Sequence, residues 1–258
     1  SPENIARAGE LLRVGKLVAF PTETVYGLGA DATSDEAVAR VFEAKGRPTF
    51  NPLIVHVPDV ATAVNLVEFN DTAQRLVDTF WPGALSLVLP RAGNSAISLL
   101  ASAGLDTIAI RIPDHTAAKA LLYAAGTPIA APSANASGKI SPTRAEHVAE
   151  SLGNKVPLII DDGPCLLGLE STVRDCTHDI PAMLRPGIIT VEQIESIVGE
   201  TLAPVGDITA ASSMPASPGM LQSHYAPTAK ILLNASSINQ GENLLSFGRH
   251  RISGMRKE

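Results

Sequence analysis

The chain has 258 residues and a formal net charge of −6 at pH 7, from 20 Lys and Arg against 26 Asp and Glu. With 45% hydrophobic and 18% charged residues and a mean hydropathy of +0.16, it holds enough apolar material for a full core, which excludes a disordered chain. The acidic balance argues against nucleic-acid binding through a broad basic face, and the two cysteines, Cys165 and Cys176, are too few for a disulfide scaffold and lack zinc spacing.

Ile5, Ala8, Leu11 and Leu12 share one face of a predicted helix over residues 5–14. A short apolar strand at 17–20 is stopped by Pro21. Thr33 and Glu36 form a capping box for a helix running through Ala44, with Ala37, Val38, Val41 and Phe42 inward and Gly46 ending it. A strand at 53–57, helical segments near 61–67 and 72–80, and a strand at 85–89 follow. Next come a strand at 107–112, a helix at 117–125 closed by Gly126, and a buried strand at 129–131. A helix near 145–152, strands at 158–160, 172–174 and 182–184, and an amphipathic helix at 191–198 complete the pattern. The alternation predicts an α/β fold, a sheet of mixed strand direction with helices packed on it. Residues 199–228 are rich in Pro, Gly and Ser and read as a linker. Only about 30 residues remain beyond it, fewer than the roughly 40 that sustain an independent core. No apolar run approaches the roughly 18 residues of a membrane span, and Ser1-Pro2-Glu3-Asn4 has no signal-peptide character, so a reduced, cytoplasmic protein is expected.

Familiar signatures are missing. The stretch ending Ser137-Gly138-Lys139-Ile140 has Ser133 and Ile140 where a P-loop needs Gly and Ser or Thr, and Gly27-Leu28-Gly29 lacks the third glycine of a dinucleotide fingerprint. What remains is a set of polar loops at strand and helix ends. Pro21-Thr22-Glu23-Thr24-Val25-Tyr26-Gly27-Leu28-Gly29 sets hydroxyls directly after a buried strand, with glycines that allow close backbone approach. Lys45-Gly46-Arg47-Pro48-Thr49-Phe50-Asn51-Pro52 puts two cations at a helix end, chemistry suited to phosphate as well as to the helix dipole. His56, inside an apolar strand, reads first as a core histidine. Alternation sets Thr107, Ala109 and Arg111 on one strand face, and Arg111 there needs an anionic partner, a carboxylate of the protein or a bound anion. The small and hydroxylic residues 131–143 suit an anion cradle, and Glu170-Ser171-Thr172-Val173 and Arg185-Pro186-Gly187 add further donors.

Taken in order, these segments resemble one family. Lys45-Gly46-Arg47 with Ser133-Ala134-Asn135 matches the K-x-R…S-x-N pattern of YrdC-type proteins. The runs 20–29 and 51–56, Ala131-Pro132-Ser133, and Glu170-Ser171-Thr172-Val173 match as well, so the chain resembles the L-threonylcarbamoyladenylate synthases over about residues 5–200. Ser217-Pro218-Gly219-Met220 and His224-Tyr225-Ala226-Pro227 look like the linker of the family's two-domain branch. The resemblance implies a YrdC-like twisted mixed sheet flanked by helices, with a large basic cavity. It also implies a catalytic domain at 1–200, a linker at 201–228 folding over the active site, and the incomplete start of a C-terminal domain at 229–258.

The activity implied joins L-threonine, bicarbonate and ATP into threonylcarbamoyl-AMP and pyrophosphate, with Mg2+ carried by ATP. The product serves tRNA modification beside the anticodon through a threonylcarbamoyl transferase complex, with direct tRNA contact weak. Carried over by motif, Thr24, His56, Arg111, Ala131 and Ser171 would surround threonine. Arg47, Asn51, Thr107, Ser133, Ser141, Arg185 and Tyr225 would hold ATP, with Lys45 and Asn135 beside them, and Lys45 and Arg47 would neutralise the leaving pyrophosphate. Two other functions fit less of the sequence. Carbamoyl transfer in hydrogenase maturation uses the same fold but adds zinc-binding cysteine pairs, and an RNA-binding module would want more than three Tyr, one Trp and six Phe as stacking platforms.

Overall fold

The computed structural model describes residues 1–177, 182–199 and 231–245. Seven α-helices lie among them, α1 (Pro2–Arg13), α2 (Asp35–Lys45), α3 (Val60–Ala63), α4 (Asp71–Phe80), α5 (Thr116–Ala125), α6 (Ala145–Leu152) and α7 (Val191–Val198). The strands are β1 (Val18–Phe20), β2 (Gly27–Asp31), β3 (Ile54–His56), β4 (Leu85–Pro90), β5 (Thr107–Arg111), β6 (Ile129–Ala130), β7 (Leu158–Ile159), β8 (Thr172–Asp175) and β9 (Ala182–Arg185). They form one nine-stranded sheet in the order β7-β1-β2-β6-β3-β5-β4-β8-β9. Pairings of β1 with β7, β3 with β5 and β4 with β8 are parallel and the rest antiparallel, so the sheet is mixed, as the alternating pattern predicts.

Side-chain alternation splits the core between the two sheet faces. On one face, Leu28, Val55, Leu87, Ile108 and Ile110 pack with α2, α4, α6 and α7. On the other, Val18, Phe20, Ile129 and Ala131 pack with α1 and α5. Further along that second face, Ile54, Val88, Ala109, Val173 and Leu184 make a small separate cluster. Between the two halves of this face the apolar contacts give way to polar side chains.

Two local expectations are corrected. Thr33 does not cap α2; its amide and hydroxyl bind Asp31 Oδ1 at 2.9 and 2.7 Å. Ser34 is the cap, accepting from the Ala37 amide at 3.2 Å and donating to Glu36 Oε2 at 3.1 Å. The last three residues of the loop expected at 21–29 belong instead to strand β2 (Gly27–Asp31). Gly29 in it is demanded by crowding rather than by a turn: a Cβ there would sit 2.9 Å from both Ile129 Cγ2 and Phe20 Cε1. Gly46 does end α2 in the left-handed conformation, at φ +60.

The chain divides into two compact units, residues 1–226 and 227–258. Among the described residues no helix is long and apolar enough to cross a membrane.

Candidate active site

The parallel pairing of β3 with β5 sets His56 directly beside Arg111. The antiparallel pairing of β3 with β6 sets His56 opposite Ile129, on the face that carries α1 and α5. A cleft opens there, lined by Thr22, Thr24, Gly27, Arg47, Ile54, His56, Arg111, Ala131, Ser133, Glu170, Ser171 and Arg185 among others. Three arginines against one carboxylate give the lining its positive character.

Arg111 is 3% exposed and held at three points. Nε donates to Gly83 O and Nη1 to Thr24 Oγ1, both at 3.0 Å, and Nη2 pairs with Glu23 Oε1 at 2.5 Å. Of the two partners the sequence allowed, a carboxylate of the protein is therefore present. Burial lowers the Arg111 pKa while Glu23 opposes the shift. Glu23 Oε2 is buried without a hydrogen-bond partner. His56 Nδ1 donates to Ile54 O at 3.2 Å, a carbonyl fixing the tautomer, and Phe20 meets the ring edge-on. Burial, then Arg111, brings its pKa down to about 3, so the imidazole is neutral at physiological pH.

The second arginine pair closes the other wall. Arg185 Nη1 meets Glu170 Oε2 at 2.6 Å, Nε and Nη2 donate to Ser171 O, and Nη2 also reaches Ser171 Oγ at 3.0 Å. Ser141 Oγ donates to Glu170 Oε1 at 2.7 Å, and Ser171 Oγ lies 2.8 Å from Ser86 Oγ. Arg47 braces its own loop, donating from Nη2 to Pro52 O at 3.0 Å and from Nε to Asn51 O at 3.3 Å. Burial brings its pKa down to about 10, with Glu170 opposing. The Lys45 ammonium donates to Ser133 O and Asn135 O, tying the end of α2 to the loop after β6. Burial, then the Arg47 charge, lowers the Lys45 pKa to about 7.

The cleft thus gathers Thr24, Arg47, His56, Arg111, Ala131, Ser133, Ser171 and Arg185 of the candidate residues. Lys45 and Asn135 join it through the 133–135 backbone, and Ser141 through Glu170. Asn51 is fully buried behind Arg47 with both side-chain polar atoms unpartnered. Thr107, at the far end of β5 from Arg111, is not in the lining. Tyr225 and the expected linker lie outside the described residues. The pocket also uses two carboxylates to which the sequence reading gave no role, Glu23 and Glu170. Each stands beside a hydroxyl residue, Thr24 or Ser171, and the demand of a buried arginine for an anion was the signal pointing to them.

A family described as telomere recombination, spanning Sua5, YciO and YrdC proteins, matches residues 10–187. The C-terminal domain of threonylcarbamoyl-AMP synthase matches residues 189–255. The threonylcarbamoyl-AMP synthase of Bacillus subtilis (strain 168) is 50% identical over 242 residues, covering 93% of this chain and 69% of that protein. That of Pyrococcus abyssi is 47% identical over 227 residues, 88% of this chain and 66% of the relative. A crystal structure of P. abyssi Sua5 complexed with L-threonine superposes with a TM-score of 0.84 at 46% identity, covering 89% of this chain and 67% of that one. Full-length HypF, in a phosphate- and nucleotide-bound form, has a TM-score of 0.64 at 20% identity over 71% of this chain and 29% of its own, which shows a shared fold alone. The chain spans about two thirds of the length of its threonylcarbamoyl-AMP synthase relatives. With that match over most of its length, it belongs to the Sua5–YciO–YrdC family.

Proposed function

We propose that the chain is a threonylcarbamoyl-AMP synthase, joining L-threonine, bicarbonate and ATP into threonylcarbamoyl-AMP and pyrophosphate for tRNA modification. The observation that carries the reading is Arg111, a buried arginine on a central strand that opens into a cleft with two further arginines. An amino-acid carboxylate suits the first and a triphosphate the others. The hydroxyls of Thr24 and Ser171 are bonded to guanidinium groups rather than to a base, an arrangement for binding rather than for nucleophilic attack.

The threonine amine and bicarbonate form a carbamate with loss of water; a carbamate oxygen then attacks the α-phosphorus and pyrophosphate leaves. That chemistry needs reactants held in line and charge neutralised, not a protein nucleophile. Thr24, His56, Arg111, Ala131 and Ser171 would surround threonine. Arg47, Asn51, Thr107, Ser133, Ser141, Arg185 and Tyr225 would hold ATP, and Lys45 and Arg47 would meet the developing pyrophosphate, with Asn135 beside them. His56, neutral and anchored to Ile54 O through its Nδ1–H, would shape the threonine seat without carrying a charge.

Guanidinium and hydroxyl donors suit anions. Among the described residues no group of three or more His, Cys, Asp or Glu is placed to hold a metal. Magnesium would arrive on the triphosphate. The remaining parts of the proposal are a cytoplasmic enzyme, a product passed to a threonylcarbamoyl transferase complex with weak tRNA contact, and a division into catalytic domain (1–200), linker (201–228) and the start of a second domain (229–258). The test is pyrophosphate release from ATP and magnesium, with threonine or bicarbonate omitted in turn. Release requiring both is the expected result; release requiring neither refutes the reading.

A further inference from the structure

A guanidinium has five N–H groups, and Arg111 spends three of them inside the protein, on Gly83 O, Thr24 Oγ1 and Glu23 Oε1. One N–H is left on each terminal nitrogen, the complement needed to hold a carboxylate through two parallel bonds. The three anchors belong to two separate segments, one after β1 and one before β4, so the plane of the group is fixed. The first of these segments is itself pinned, the Leu167 amide donating to Glu23 O at 2.8 Å and the Gly168 amide to Thr24 O at 3.0 Å. Glu23 is 7% exposed and supplies the charge that makes Arg111 tolerable in the interior.

We propose that Glu23 is the positioning residue of the amino-acid seat: it neutralises Arg111 and orients its guanidinium so that the two spare N–H groups face the substrate carboxylate. This rests on the reading of Arg111 as that seat, given under Proposed function. The seat is then neutral overall, an arginine with its glutamate. A zwitterionic amino acid enters it without leaving an uncompensated charge. A bare inorganic anion has no such advantage there and is drawn instead to Arg47, which among the described residues has no carboxylate hydrogen-bonded to it.

Steady-state pyrophosphate release by the wild type, Glu23→Gln and Glu23→Asp decides the matter. Glu23→Gln keeps the shape and removes the charge. It is expected to raise the KM for threonine at least tenfold while the KM for ATP stays within about twofold, and Glu23→Asp, shorter but charged, is expected to recover part of the loss. A role confined to folding would move both KM values together, and that outcome overturns the proposal. An unchanged KM for threonine overturns it as well. So does a lowered one, because Glu23 would then be an internal occupant that the substrate has to displace. Should Glu23→Gln not accumulate as folded protein, Glu23→Asp decides by the same split between the two KM values. Wild-type enzyme without threonine-dependent release would refute the proposed function and this inference together; active wild type with an indifferent Glu23→Gln would refute the inference alone.

Discussion

Two arginine–glutamate pairs face the same cleft and use the same parts: an arginine on a strand, a glutamate, and the hydroxyl residue that follows the glutamate. In one, Arg185 binds Glu170 and Ser171, and both Glu170 oxygens are engaged, Oε2 by Arg185 and Oε1 by Ser141. In the other, Arg111 binds Glu23 and Thr24, but Glu23 Oε2 has no partner and one N–H on each terminal nitrogen of Arg111 is unspent. The first pair mainly fastens the entry to β8 to β9. The second keeps unused hydrogen-bonding capacity in a buried place, where such capacity is costly unless a ligand uses it. The same chemistry thus yields a joint in one wall and a seat in the other.

The comparison breaks most sharply at Arg111. Arg111→Ala strands the Glu23 carboxylate in the interior and should lower stability by about 3–5 kcal/mol, measured by urea unfolding. Adding Glu23→Ala should restore much of that loss without restoring threonine-dependent pyrophosphate release, so a double-mutant cycle separates folding from the seat. Arg47 belongs to neither pair, and Arg47→Ala should cut the rate at least tenfold through loss of charged contacts worth about 1.5–3 kcal/mol; wild-type activity in this variant would sink the triphosphate assignment. Gly187→Ala attacks the closed pair, because a Cβ there would lie 2.5 Å from the Thr172 amide nitrogen and 2.7 Å from Glu170 O. Overpacking of this kind costs about 1–3 kcal/mol, and it should raise the KM for ATP before that for threonine.

A further effect, read as a pH dependence and not as a loss of activity, concerns Lys45. Its pKa falls from 10.5 to about 7 on folding, so between those values the unfolded chain binds the extra proton and stability rises with pH. The slope is at most about 1.4 kcal/mol per pH unit. It should vanish in Lys45→Met, as chemical denaturation across that range would reveal.

Most helices and strands were legible because their apolar spacing is local: α4, α5, β4 and β5 lie within a residue or two of where the pattern puts them. Strand β2 was not, because Gly27 and Gly29 carry no periodic signal and the reason for Gly29, the closeness of Phe20 and Ile129, exists only after folding. The site shows the same division. Arg111 announced itself as a charge among isoleucines, and the motif resemblance nominated most of the cleft. Neither the partnership of Glu23 with Arg111, 88 residues apart, nor that of Glu170 with Arg185, set by the pairing of β8 with β9, could be read from spacing. Thr33 lost the cap to Ser34 because Asp31, two residues earlier, competes for its hydroxyl.

Gly27 has a consequence of a different kind. It is part of the cleft lining, and a methyl group added there would meet Ala131 Cβ and Phe20 Cζ at 3.4 Å, close to ordinary contact distance, whereas the same addition at Gly29 would collide. The floor of the cleft therefore has a steric dial two residues from a position that tolerates no change. Alanine at 27 trims the room available to a bound molecule while leaving every charge in place, which makes it a means of separating size selection from charge selection in this enzyme.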